Sequence, residues 1–355
     1  MPRKIRSAVG LAGLSLALTA AGCSSSTSPS AGAHATSAAV PSALRLGYLV
    51  NLTHADAMVG VARGYFAKYL GRKTQLQTST FNAGPAEVDA LDEGALDAAY
   101  MGPSSAITPY EQSHGEALEV VSGATAGGAA LVVSSAVTSA SALKGKTLST
   151  PQLGNTQDVA LRYWLKGKGL SADPSGGGDV TILPQSNSAI VTAFASGHIA
   201  GAWVPEPYAT ELVLDGGHVL VNEATLWPKG QFSTTVLVVR KQFAAQYPAA
   251  VRELLEGQVA ATSFITTHAA QAQQVVNQQF TTLAGKPLSQ TVLAEAWKNI
   301  VFTNDPVVSS WVADAKHANA VGLGVGGLPV SGIFALGPLD EILSSLDEAP
   351  VKTSS

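Results

Sequence analysis

The sequence predicts an α/β protein of two lobes, each built from parallel βα units, and three observations carry that expectation. Strand-like and helical stretches alternate from Leu44 onward, the order that lays parallel strands into one sheet. The alternation runs through once and then starts again at Lys146. Finally, "ALDEGALDAAYMGP" (residues 90–103) and "AFASGHIAGAWVPE" (residues 193–206) carry Ala, Gly, apolar, Ala, aromatic and apolar residues at matching places, a constant 103 positions apart. In an Ala-rich chain such a match also arises by chance, and two similar lobes explain it equally well.

Taken in order, the chain opens with three cations (Arg3, Lys4, Arg6) and an apolar run through Ala21. That run is shorter than the ~20 residues a bilayer needs, so residues 1–22 read as a bacterial export signal. Its end, Gly22-Cys23, resembles a lipoprotein lipobox, with Ala20 standing where Leu is usual. Cys23 is the only cysteine of the 355 residues, which leaves no partner for a disulfide and no thiolate cluster for a metal. Lipid attachment would account for it. The small, polar and Pro-bearing stretch that follows reads as a flexible tether over residues 23–43.

The remaining body of roughly 310 residues suits two lobes better than one core. Removing the three signal cations from a net charge of −4 leaves −7. With no basic stripe, nucleic acid is not an expected partner.

The first series runs "LRLGYLV" (strand), "NLTHAD" (loop), "AMVGVARGYFAKYL" (helix), "TQLQTSTF" (strand), "PAEVDALDEG" (helix) and "LDAAYMG" (strand). The second runs "KTLSTPQ", then a helix, "DVTILP", the helix "SAIVTAFASG" and "IAGAWVP". In its first helix the i,i+4 pairs Val159/Tyr163, Ala160/Trp164 and Leu161/Leu165 mark packing faces, with Lys166 and Lys168 near the negative end of the dipole. The β-rich stretches "AALVVSSAV" and "TTVLVVRKQF" lie where the chain must cross between lobes, so the hinge is expected near residues 130–135 and 236–240. From Phe243 the pattern is helical, through "TVLAEAWKNIVF" to "LDEILSSL".

Candidate binding residues sit where strands hand over to helices. "GNTQ" (Gly154, Asn155, Thr156, Gln157) presents backbone N–H groups, a hydroxyl and two amides at a helix start, a weakly positive place. Asn155 is also a plain helix cap, with Asp158 three residues on. "MGPSSAITPY" repeats the arrangement with Gly102, Ser104 and Ser105. Asn51, Thr53 and His54 lie in the first βα loop, beyond the carboxyl end of a strand, where α/β folds bind ligands; Thr53 equally well caps a helix. Trp203 reads as ligand contact or core, and Glu206, between two prolines, faces a ligand amine or a partner. Trp227 and Phe232 line an apolar tail or pack at the surface.

Catalysis finds no support: G-x-S-x-G, H-E-x-x-H and P-loop motifs are absent, "GLGVGG" near Gly322 follows no strand, and seven scattered histidines lack ligand spacing. No cofactor or metal is expected.

In combination, "LRLGYL…THAD…GYF", "ALDEGALDAAYMGPSSAI", "LKGKTLSTPQLGNTQDVALRYWL" and "ASGHIAGAWVPEPY" resemble the nitrate/sulfonate/taurine type of substrate-binding protein of ABC importers, over residues 44–343. "PQLGNTQDVALR" is similar to the aliphatic-sulfonate branch. The resemblance implies a type II periplasmic-binding-protein fold with a two-strand hinge, lobe I from residues 44–129 and 236–343, lobe II from 137–232, and a polar tail over 344–355. It implies a monomer that closes on a small organic anion, an aliphatic sulfonate first, and hands it to permease and ATPase subunits, tethered to the extracytoplasmic face by its lipid. Taurine, nitrate, bicarbonate or a thiamine-pyrimidine-like compound are the other ligands it allows, as is a sensor with no transport role. A related branch makes the thiamine pyrimidine with a cysteine cluster; one cysteine cannot do that chemistry.

Overall fold

The computed structural model describes residues 39–351; Cys23, the expected export signal and most of the expected tether lie outside them. Eleven strands form two sheets among the described residues. The first holds β1 (Ala43–Leu49), β2 (Gln75–Phe81), β3 (Ala98–Met101), β4 (Leu118–Gly127), β10 (Ser233–Arg240) and β11 (Ile300–Phe302), in the order β11-β4-β10-β3-β1-β2. The second holds β5 (Ala129–Ser134), β6 (Thr147–Thr150), β7 (Thr181–Pro184), β8 (Gly201–Pro205) and β9 (Gly217–Asn222), in the order β7-β6-β8-β5-β9.

Each sheet has a parallel trio flanked by an antiparallel strand: β2-β1-β3 beside β10, and β7-β6-β8 beside β5. The registers repeat as well. Leu46 lies opposite Ala98 and Thr78, and Leu148 lies opposite Gly201 and Ile182, at steps of 102, 103 and 104 residues. The sequence match at 103 therefore reflects two equivalent βα arrangements rather than composition.

Strand β1 shows why these segments become sheet: Leu44, Leu46 and Tyr48 are all buried in one apolar cluster with the helices that cover the sheet. Burial of each such side chain contributes about 1.5–3 kcal/mol. At the polar end of the sheet, Asp97 accepts Arg45 Nη2 at 2.6 Å and Arg240 Nη2 at 3.1 Å, which ties β1 and β10 to the start of β3. Trp203 and Leu148 belong to the separate core of the second sheet.

The chain crosses between sheets twice, and not where the β-rich stretches suggested. Residues 130–135 lie mostly inside β5 and residues 236–240 inside β10. The outward crossing is Gly127-Gly128, both at φ 73, a left-handed conformation that glycine adopts without penalty. The return runs through the short 3-10 turns Glu223–Leu226 and Pro228–Gly230.

Two further expectations are corrected. The helix after the first loop is two, Ala55–Ala62 and Tyr65–Leu70, broken at Gly64. "KNIVF" does not continue a helix: Gln290–Trp297 stops and Ile300–Phe302 pairs with β4 as an edge strand, as befits two β-branched residues and an aromatic. The polar tail is docked through residue 351, where the Val351 N–H donates to Asp340 Oδ1 at 2.9 Å.

Candidate functional site

Strand β1 ends at Leu49, β3 at Met101, β6 at Thr150 and β8 at Pro205. Past β3 and β6 the chain turns into helices whose first turns meet across the gap between the sheets. Between them lies a cavity of about 30 Å³, lined by Leu49, Asn51, Thr53, His54, Gly84, Gly102, Ser105, Asn155, Thr156, Gln157, Pro205, Thr234 and Thr235. Eight of the expected residues thus meet in one place, and Ser104 adjoins them. No Lys, Arg, Asp or Glu lines the cavity. It is a wall of neutral donors.

The two helix mouths touch directly. Thr156, first residue of helix Thr156–Gly167, accepts the Ser104 N–H of helix Pro103–Gln112 at 3.3 Å through Oγ1. First-turn N–H groups have no acceptor within their own helix, so this one is free to be shared. Gly102 makes the approach possible, because a Cβ there would stand 2.3 Å from Thr156 Oγ1.

Within "GNTQ" the roles divide. Asn155 is a cap: its Oδ1 accepts the Asp158 N–H at 2.9 Å, and its Nδ2 donates to Gln157 Oε1 at 3.2 Å. That leaves the Gln157 NH₂ group and Thr156 for a ligand. Asp158 does not complete a capping box. Its carboxylate accepts Thr150 Oγ1 at 2.8 Å, the Gly154 N–H at 3.1 Å and Arg162 Nε at 2.9 Å, so the buried ion pair moulds the loop from behind. Gly154 serves that turn and is not part of the cavity wall.

His54 is held neutral, since burial pushes its pKa down to about 3. Its Nδ1 accepts the Leu49 N–H at 3.2 Å, which leaves the proton on Nε2 as one more neutral donor. Thr53 caps no helix; its carbonyl accepts Thr125 Oγ1 at 2.9 Å, so the loop is pinned to β4 while the side chain lines the cavity. The hydroxyls of Ser104 and Thr235 are buried and have no partner among the described residues.

Two expected residues stand elsewhere. Trp203 is fully buried in the second core, with Nε1 donating to Glu223 Oε2 at 2.7 Å and its ring edge-on to Trp164 at 6.3 Å. Glu206 lines a different cavity of about 480 Å³ behind the crossing. There its Oε1 accepts Asn299 Nδ2 at 2.7 Å and its Oε2 the Thr210 N–H at 3.1 Å, and burial raises its pKa. It joins the end of β8 to the C-terminal layer. Trp227 stacks on Phe232 with centroids 5.7 Å apart, beside a third cavity with Tyr163 and His317, away from the donor wall.

Sequence reasoning passed over Gly84, Thr234 and Thr235. The available signal was a pair of hydroxyls heading the apolar run "VLVV", placed in the cavity because β10 enters the first sheet beside β3.

The sequence profile of the NMT1-like family matches residues 37–278. A protein of Brucella abortus whose name describes it as a binding protein is 26% identical over 296 residues, 76% of this chain and 88% of that relative. The taurine-binding periplasmic protein of Escherichia coli is 28% identical over 199 residues, 55% of this chain and 58% of its own length. Among solved structures, the alkanesulfonate-binding protein of Xanthomonas axonopodis pv. citri bound to MOPS superposes with a TM-score of 0.70 at 21% identity, over 84% of this chain and 100% of that one. The nitrate-binding protein of Synechocystis PCC 6803 gives 0.70 at 16% identity, over 88% and 92%. At these identities the superpositions establish a shared periplasmic-binding-protein fold.

Proposed function

The chain belongs to the NMT1-like family, and we propose that it is the solute-capturing subunit of an ABC importer, holding a small organic anion, an aliphatic sulfonate first, in the cleft between its two sheets. It binds and releases; it does no chemistry on its ligand. The observation that carries this reading is the meeting of two helix mouths, Ser104 with Thr156, beside a cavity whose polar side chains are all neutral. A sulfonate spreads one charge over three oxygens, so many N–H and O–H groups suit it better than one ammonium would. Each helix end contributes about 0.3–1 kcal/mol through its dipole, and each hydrogen bond to a charged group about 1.5–3 kcal/mol. The hydrogen bonds dominate.

The cavity of about 30 Å³ holds a head group only, since one water-sized sphere takes roughly 10–15 Å³ on this measure. That size favours nitrate or bicarbonate as a second reading, and requires a sulfonate to send its tail out past Asn51. A thermal-shift panel of alkanesulfonates, taurine, nitrate, bicarbonate and pyrimidine precursors separates them, a ligand at 100 times its Kd adding ~2.7 kcal/mol. Stabilisation by uncharged compounds alone would sink the anion reading.

None of the helices among the described residues is long and apolar enough to cross a membrane. In this reading Cys23 carries the lipid that holds the protein at the extracytoplasmic face, and the permease and ATPase are its partners.

A further inference from the structure

Away from the donor wall lies a cavity of about 550 Å³ that the binding reading leaves unused. It is built from both halves. Tyr163 and Trp164 come from helix Thr156–Gly167 over the second sheet, and Leu226 and Trp227 from the return crossing. His317 comes from helix Val308–Ala320, whose Trp311 is buried in a core of the first sheet. Four aromatic rings and a leucine thus line one space.

The rings are already ordered. Tyr163 lies on His317 with centroids 3.7 Å apart and planes at 18°, and His317 is tilted against Trp227 at 5.5 Å. Phe232 stacks on Trp227 at 5.7 Å and 12°, so one face of that indole is covered. Tyr163 is nevertheless 40% exposed and Leu226 49%. Large apolar side chains left open around a hollow, with a few polar groups among them, are the make-up of a small-molecule site.

The exposed charge in the lining has one sign. Lys166 Nζ donates to the Ala320 carbonyl at 2.6 Å, and Lys168 Nζ stands 5.7 Å from the centroid of the Trp164 ring. Unlike Lys144, Lys241 and Lys298, neither forms an ion pair among the described residues. The one carboxyl in the lining, Glu223, is 1% exposed and accepts the Trp203 Nε1–H. Burial raises its pKa to about 7, so at neutral pH it opposes an anion with less than a full charge. Burial also lowers the pKa of His317, which leaves that ring neutral.

We propose that this cavity is a second ligand site, for a planar aromatic anion whose rings lie among Tyr163, Trp164 and Trp227 and whose acid group meets Lys166 and Lys168. Aromatic pairs gain attraction beyond their buried area, which an alkyl chain does not, and an aromatic cation meets two lysines. The site is separate from the donor wall and independent of the ligand assigned there.

The test is calorimetric titration of the full chain, at low and high salt, with 2-naphthoate and two probes of the same ring system, neutral 2-naphthylmethanol and cationic 2-naphthylmethylammonium. Wild type is expected to bind the carboxylate tightest, by about three- to tenfold over the alcohol, with the margin shrinking as salt is raised. When Lys166→Gln and Lys168→Gln are combined, the margin disappears while the alcohol binds as before. In Trp227→Leu all three probes bind about three- to tenfold weaker. Thr156→Val leaves all three unchanged. Melting temperatures guard against a folding defect, and the lysine variant, altered only at exposed positions, keeps the test open should Trp227→Leu misfold. Absence of naphthoate binding, equal affinity for carboxylate and alcohol in wild type, or a margin that survives loss of both lysines overturns the inference. So does unaltered binding in a folded Trp227→Leu. Loss of naphthoate binding in Thr156→Val puts the probe in the donor cavity and overturns it as well. All of these leave the donor-wall reading standing.

Discussion

Replacing Thr156 by Val is the sharpest perturbation of the donor wall, because it keeps the side chain's shape and removes one oxygen. That oxygen accepts the Ser104 N–H across the gap at 3.3 Å, and both residues are buried. Deletion strands a helix N–H away from water, a loss of about 1–3 kcal/mol. Where the same pair grips the ligand, affinity falls roughly 5- to 150-fold. The helix itself is indifferent to the change, since its cap is Asn155. Asn155→Ala gives the complementary result: about 1 kcal/mol of folding stability lost, with a smaller effect on affinity through the released Gln157. Calorimetry and denaturant unfolding of both variants read the two quantities separately. An unaltered Kd in Thr156→Val, beside a fall in its stability, would refute the clamp and leave Thr156 a structural residue.

Gly102→Ala is expected to keep the fold, because φ −76 suits alanine. It should weaken ligand binding and hold the halves apart, since the new Cβ stands 2.3 Å from Thr156 Oγ1; small-angle scattering at saturating ligand checks this, and an unchanged radius would count against it. Asp56 is buried, bonded to Thr262 and Gln258, and burial raises its pKa from 3.8 to about 7. The folded state therefore holds a proton that the unfolded state has lost between these values, and stability drains as pH rises through that window. Asp56→Asn should gain on wild type from pH 4 to 7 and level off above, by an order of 2–4 kcal/mol; a pH-independent difference in unfolding free energy would refute it. Cys23→Ala is expected to free the body into the medium or leave the precursor uncut; a variant still membrane-bound at processed size would exclude the lipid anchor.

The parallel βα units were legible because their signals are local: a β-branched or apolar run, a capping residue, a helical period. The donor residues at strand ends were legible for the same reason, since their positions follow from where each strand stops. What escaped depended on partners distant in sequence. Thr234 and Thr235 join the site only because β10 inserts beside β3, more than a hundred residues upstream. Trp203 read as ligand contact or core, and only Glu223, on the return crossing, decides for core by taking its N–H. Glu206 was claimed by Asn299 of the C-terminal layer. The crossing was misplaced because apolar richness marks the strands on either side of it, whereas the turn itself is two glycines.

The interleaved order of strands also sets a timetable for folding. All five strands of the second sheet lie in one continuous stretch, residues 129–222. The first sheet cannot join β4 to β3 until β10 arrives between them, and the pair Met101 to Val236 spans 135 residues. Long-range pairings of this kind are slow to form. A chain emerging from its N-terminus would complete the second lobe while β3 and β4 still wait with open edges, and open edges invite pairing with other chains. The half that starts first is the half that finishes last, so the interval in which this protein most needs protection is the one in which residues 128–232 are being made.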